Sequence, residues 1–273
     1  MGVTYGSGSL GSIIRIYREE GLGPLLRKAS GYVYNRTVWP LLPTTAYVTY
    51  AGVRVERRKP LDMRLPFPTP GSQQDLPDHE AVLVPAIEEH LTAGDTVVEI
   101  GGGVGATAVI AARQVGPSGH VRTYEGSPIQ ARRIWRTAEL NGVGDRVAVE
   151  TAIVSNAVRL MMGQETGQRD RVVPVSDLPP ADALVIDCDG CEFELIAELD
   201  RLPETLVVEH HAVLDSDVTR VEYEPDRLRE LLTGKGYEIV ATEVQQMDEE
   251  MPEFGEEETV FVAVLTPQAS RMA

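Results

Sequence analysis

Two cysteines in 273 residues leave no material for a disulfide scaffold. Lysine is nearly missing: Lys28, Lys59 and Lys235 stand alone, and arginine supplies the rest of the 25 basic side chains. Aromatic residues make up only 5% of the chain. No apolar run reaches the roughly 20 residues that a membrane-crossing helix needs. The first twenty residues also lack a signal-peptide core, because Ile13-Ile14 is followed at once by Arg15. These absences lead to the expectation of a cytoplasmic protein.

What is abundant is negative charge. Asp and Glu number 42 against 25 Lys and Arg, a formal net charge of −17, while the hydrophobic share of 42% is ordinary for a globular chain. The length suits one α/β domain with an appendage. A body this acidic repels a polyanion, so no nucleic-acid partner is expected. Its poverty in lysine makes it resemble proteins of salt-loving archaea, in which high salt screens self-repulsion.

The charge is unevenly spread. Residues 1–64 carry ten basic and four acidic side chains, so the rest of the chain is more acidic than the total suggests. We therefore divide the chain into a basic N-terminal appendage with a Pro-rich linker, 1–75, and a main domain, 76–273. Arg15, Arg18, Arg27, Lys28 and Arg36 interleave with Tyr17, Tyr32, Tyr34 and Trp39. Such a segment suits peripheral membrane contact, or a cap packed over a substrate mouth or against the acidic body. The short apolar stripe, interrupted by Gly-Pro, favours the cap.

The pattern predicts short helices over 10–34, broken at Gly21-Leu22-Gly23-Pro24, then a small hairpin over 46–56 and an extended linker over 60–77. Asp78 is the expected cap of a helix running to His90. Strands are predicted at 96–100, 121–124, 147–150, 183–186, 205–209, 237–242 and 259–265, with helices at 106–115, 128–141 and 225–233. Strand and helix in alternation imply a Rossmann-like, doubly wound, mostly parallel seven-stranded sheet. The last two strands have no helix between them and are expected to pair antiparallel.

Within this frame Thr96–Ile100 runs into Gly101-Gly102-Gly103-Val104-Gly105, a buried strand entering a turn without side chains. Such a turn lets a ligand approach the backbone and the next helix N-terminus. Glu99 precedes the glycines, and Glu125 ends the following strand, where its carboxylate can hold the two hydroxyls of a ribose. NAD uses the same geometry, and Gly101, Gly103 and Ala106 fit a loose G-x-G-x-x-A, so the turn alone leaves a dehydrogenase and a methyltransferase both open.

Further residues favour the second. Glu99, Gly101, Gly103 and Gly105 match [DE]-x-G-x-G-x-G, the first motif of the class I S-adenosylmethionine-dependent methyltransferases, which the chain resembles. Within that class it is similar to the FkbM-type family, which methylates hydroxyl groups of sugars and other small molecules. The similarity spans roughly 76–265. Tyr124-Glu125-Gly126-Ser127-Pro128 resembles F-E-P-x-P, and Leu140-Asn141-Gly142 matches the end of the following helix. The segment from Ala183 to Glu192 resembles L-K-I-D-x-E-G-x-E, and Leu206-Val207-Val208-Glu209-His210-His211 resembles a closing strand ending in Glu-x-His. Two departures are Val185 at the family's lysine and Asp189 at its glutamate.

The resemblance implies S-adenosyl-L-methionine as cofactor and a glycan or other small hydroxylated molecule as acceptor. It assigns the methionine end to Glu99, through water, and to the backbone of Gly101, Gly103 and Gly105. It assigns the ribose to Glu125 and the adenine to Ala152 and Ile153. A hydroxyl acceptor must also lose a proton. For this we favour His211 with Asp187, Glu209 orienting the imidazole, and His210 as the alternative should the register differ by one.

Asp187, Asp189 and Glu192 are spaced to hold a divalent metal such as Mg²⁺, though no metal is expected, since Glu192 also suits the first turn of a helix. Cys188 and Cys191 form C-x-x-C without a second pair, and are expected to pack as small residues around Gly190. The competing functions are an NAD-dependent oxidoreductase on the same fold and a catalytically silent nucleoside-binding module.

Overall fold

The structure, a computed structural model, describes residues 17–18, 21–42, 46–61, 70–72, 74–154, 171–188, 191–211, 213–215, 220–222, 224–246 and 257–266. Its first strands form the expected hairpin, β1 (Tyr47–Tyr50) and β2 (Val53–Glu56). They turn through Ala51 and Gly52, both at positive φ, a backbone twist that matches antiparallel strands.

The apolar runs of the main domain become one sheet: β3 (Thr96–Ile100), β4 (His120–Glu125), β5 (Val147–Thr151), β6 (Ala183–Ile186), β7 (Thr205–His211), β8 (Tyr237–Gln246) and β9 (Glu257–Leu265). Their order is β8-β9-β7-β6-β3-β4-β5. All neighbours from β7 to β5 are parallel, and β9 pairs antiparallel with both β7 and β8. This is the mostly parallel, seven-stranded, Rossmann-like arrangement expected. The chain leaves β3 toward β4 on one side and later returns to its other side as β6. That reversal opens a crevice at the carboxyl ends of β3, β4 and β6, where open α/β sheets bind ligands.

After α1 (Leu22–Val33), which precedes the hairpin, α2 (Leu83–His90), α3 (Ala106–Val115), α4 (Pro128–Leu140), α5 (Glu192–Glu198) and α6 (Pro225–Gly234) cover both faces. Because successive strand residues face opposite sides, Val97, Val121, Val185, Val207 and Val260 pack against Leu83, Ile87, Val109 and Ile134 of α2 to α4. Val98, Ile186, Val208 and Phe261 pack against Leu195, Ile196, Leu228 and Leu232 of α5 and α6. Each such fully buried side chain contributes on the order of 1.5–3 kcal/mol.

The break expected at Gly21-Leu22-Gly23-Pro24 does hold: Tyr17 and Arg18 are helical, Gly21 leaves the helix at φ 88°, and α1 starts afresh at Leu22, where Pro24 in its first turn loses no intrahelical hydrogen bond; residues 10–16 lie outside the described part. Some local expectations change. The helix expected from Asp78 begins only at Leu83, because Glu80 adopts a left-handed φ of 50°. Of the expected linker, Arg58–Leu61 pairs with Pro70–Ser72, and residues 62–69 are not described. α5 is a helix that the strand-and-helix pattern did not delimit.

The N-terminal hairpin is bound to the main domain. Val48, Tyr50, Val53 and Val55 belong to the same apolar cluster as α3 and α4. Arg136 of α4 donates to Glu56 of β2 at 2.6 Å, both side chains being almost wholly buried. The same guanidinium donates to the carbonyls of Trp39 and Leu42 and lies 4.9 Å from the centre of the Trp39 ring. Asn141, just after α4, exchanges hydrogen bonds with the backbone of Arg54. No helix among the described residues is long and apolar enough to cross a membrane.

Candidate functional site

The turn after β3 is shaped by what crowds it. Gly101 has φ 83°, and a Cβ there would stand 1.6 Å from the carbonyl oxygen of Asp187, so the end of β6 fits against the turn only because a side chain is missing. Gly103 differs: at φ 47° its Cβ would meet nothing within 4 Å and would project into open space. Gly105, at φ 87°, is the N-cap of α3 and, being glycine, offers that helix no side-chain cap. The turn therefore presents bare backbone and an uncapped helix N-terminus, the arrangement that binds a carboxylate or phosphate. Gly101 N–H donates to the Tyr124 carbonyl at 3.0 Å, which ties the turn to β4 one residue before Glu125.

Glu99 lies beneath the turn, 1% exposed, and accepts a 2.6 Å hydrogen bond from the hydroxyl of Thr123 on β4. Burial pushes its carboxyl up to about 7; the Thr123 and Thr107 hydroxyls oppose this, and the charge of Glu125 adds to it. Glu125 ends β4, and its carboxylate accepts from the Ser127 amide at 2.7 Å. Ser127 in turn caps α4 by accepting from the Gln130 amide. Ala152 N–H donates to the Glu125 carbonyl, and a Cβ on Gly126 would stand 3.0 Å from Ile153. Glu99, the glycine turn, Glu125, Ala152 and Ile153 thus gather around the carboxyl ends of β3, β4 and β5, with Glu99 and Ala152 buried.

A second group gathers at the ends of β6, β7 and β9. The Asp187 amide donates to the Ile100 carbonyl, which sets Asp187 directly beside the turn. Glu209 and His211 share the β7 face that carries Val207, and His211 is in register with Glu258 of β9. Ligand atoms of Glu209, His211 and Glu258 lie within 4.8 Å of one another, as do those of Glu80, Asp187 and Glu209. Glu209 therefore stands between Asp187 and His211. Burial, then the charges of Asp187, Glu80 and Glu258, push its carboxyl well above the usual range. Glu80 and Glu258 escaped the sequence reading. Glu258 was findable only through the antiparallel register of β9, and Glu80 through no pattern at all.

His210 is directed to the opposite face, where its Nδ1 lies 2.6 Å from Glu192 of α5, each 1% exposed. Alternation along β7 forces this separation from His211. Glu192 is engaged there in the first turn of its helix and does not join Asp187 in a metal site; Asp189 lies outside the described residues. Cys188 and Cys191 are joined as a disulfide rather than packing as separate small residues. A cavity of about 580 Å³ is lined by Tyr124, next to Glu125, and by Arg171, Val172, Pro174, Ser176 and Asp177.

No family model matches the chain, and no curated protein matches it. Solved structures of similar fold do exist. One is a precorrin-6y C5,15-methyltransferase from Geobacter metallireducens, at 18% identity and TM-score 0.45, covering 70% of this chain and 89% of that one. Another is an S-adenosylmethionine-dependent O-methyltransferase from Thermotoga maritima, at 16% identity and TM-score 0.44, covering 71% and 67%. A third is TrmK of M. capricolum in complex with S-adenosylhomocysteine, at 8% identity and TM-score 0.45, covering 67% of each chain. Others of this fold are tRNA methyltransferases. The expectation that nucleic acid is not a partner is therefore withdrawn: net charge repels a polyanion on average, but the fold is also that of proteins acting on tRNA.

Proposed function

We propose that this chain is an S-adenosylmethionine-dependent methyltransferase that transfers the methyl group to a hydroxyl oxygen of its acceptor. The observation that carries the reading is the joining of three features at one crevice: the bare backbone at Gly103, the uncapped N-terminus of α3, and the Glu125 carboxylate at the end of the adjoining strand. The residues fit the cofactor, since a side chain on Gly103 would fill the space left open beside the turn. The ordered motifs through β4, β6 and β7 support the finer assignment to the FkbM type.

In this reading Gly101, Gly103, Gly105 and the first turn of α3 bind the methionine carboxylate, with Glu99 serving its ammonium through water. Glu125 binds the ribose hydroxyls, and Ala152 and Ile153 flank the adenine. When bound, the cofactor supplies an electrophilic methyl group on a sulfonium, so no covalent protein intermediate is needed. The chain's own task is to align the acceptor oxygen, exclude water and remove a proton. Asp187 stands beside the turn and takes the acceptor proton, with Glu209 and His211 behind it. His210, paired with Glu192 on the other face, has no part in this step.

Calorimetry with S-adenosylhomocysteine and, separately, with NAD tests the cofactor. Binding of the first alone supports the proposal, and binding of NAD alone favours an oxidoreductase. Transfer of a labelled methyl group to hydroxylated sugars, set against transfer to tRNA, then identifies the acceptor. Binding without transfer to any of them favours a silent binding module.

A further inference from the structure

The cluster around Glu209 goes beyond what methyl transfer requires. Glu209, His211 and Glu258 are 4%, 7% and 5% exposed, so two carboxylates and an imidazole meet away from water. Isolated charges in such a place are costly and call for a counter-charge. The charges acting on Glu209, those of Asp187, Glu80 and Glu258, are all negative. A hydrogen bond joins the Glu209 and Glu258 carboxyl groups, yet the other oxygen of each, Glu209 Oε2 and Glu258 Oε1, is buried with no hydrogen-bond partner among the described residues.

We propose that Glu209 is the central ligand of a divalent-cation site that draws its other protein ligands from His211, Glu258, Asp187 and Glu80. Each of the two triplets that share Glu209 has its ligand atoms within 4.8 Å of one another. One ion with bonds of about 2.1 Å places octahedral ligand atoms roughly 3–4.2 Å apart, so small side-chain shifts close either triplet on a cation. Several carboxylate oxygens with a single imidazole select Mn²⁺ or Mg²⁺ over the softer metals. The β7 alternation that puts His211 and Glu209 on one face also sends His210 away, so the site takes one imidazole from β7. Asp187 and Glu80 are only half-buried and form its approach from the crevice. This site differs from the one the sequence suggested, retaining Asp187 and replacing Glu192.

The test uses the full chain, stripped with chelator, and titrates Mn²⁺ alone by electron paramagnetic resonance and calorimetry. The expected result is saturable binding of one Mn²⁺ per chain, competed by Mg²⁺ and weakened about 100-fold or more in Glu209→Gln. Glu258→Gln and Asp187→Asn weaken it too, and carry the test if circular dichroism shows that Glu209→Gln does not fold. Glu125→Ala, parallel with these, loses S-adenosylhomocysteine while keeping Mn²⁺, so failure of the cation site and failure of the cofactor reading are separable. Absence of saturable Mn²⁺ binding, or affinity unchanged in the folded carboxylate variants, overturns the proposal. In that case the cluster is a set of carboxyls sharing protons.

Discussion

Glu99→Gln isolates the most strongly placed charge beneath the glycine turn. The folded protein holds the Glu99 proton up to a pH of about 7 against an ordinary value of 4.5. A carboxyl raised in this way stabilises the fold fully below the unfolded value. That contribution falls as pH rises, and it is lost above the folded value. Between the two the folded state binds one more proton than the unfolded state, so stability drops by about 1.4 kcal/mol per pH unit. Over the whole window the loss is about 3 kcal/mol. Glutamine keeps an oxygen to accept from Thr123 and cannot ionise. Urea denaturation of both proteins from pH 4.5 to 8.5 should therefore show Glu99→Gln gaining about 3 kcal/mol relative to wild type, with most of the gain accrued by about pH 7 and a plateau above about pH 8. Saturating S-adenosylhomocysteine, whose ammonium favours the ionised carboxylate, should shrink the gain. Parallel stability curves would refute the reasoning, since they would mean that Glu99 ionises normally in the folded protein.

Three further outcomes are expected. Gly103→Ala costs roughly 1–2 kcal/mol for its left-handed backbone yet abolishes measurable S-adenosylhomocysteine binding, whereas Gly101→Ala, driven against the Asp187 carbonyl, chiefly lowers the melting temperature; the two are read by calorimetry and thermal denaturation. Glu56→Gln leaves Arg136 charged and buried, and should cost about 3–5 kcal/mol in urea unfolding, with part of the loss recovered by adding Arg136→Met. Cys188→Ser removes a bridge closing a four-residue loop, a loss of about 2 kcal/mol by loop entropy, which disappears when both proteins are measured under reducing conditions.

The sheet was legible because each buried strand announces itself locally. Thr96–Ile100 and Ala183–Ile186 are short apolar runs closed by glycine or aspartate, and their bounds agree with the structure. The antiparallel end followed from the lack of any helical pattern in the sequence between the strands predicted at 237–242 and 259–265, which the structure forms as Tyr237–Gln246 and Glu257–Leu265. The start of α2 was misplaced because a left-handed Glu80 leaves no signature in sequence, glutamate being an ordinary helix former. The carboxylate cluster was half visible. Asp187, Glu209 and His211 stood out in their motifs, but Glu258 reaches them only through strand pairing and Glu80 only through a turn. The choice between His210 and His211 rested on one residue of register, and β7 resolves it by facing them in opposite directions. The disulfide was missed because four-residue proximity alone does not distinguish bonded thiols from packed ones.

The most direct measurement is a crystal structure of the chain soaked with S-adenosylhomocysteine. The account predicts the ribose hydroxyls on the Glu125 carboxylate and the amino-acid end over the backbone of Gly101 to Gly105. Ligand density outside that crevice, or on the cavity beside Arg171 and Ser176, would contradict it.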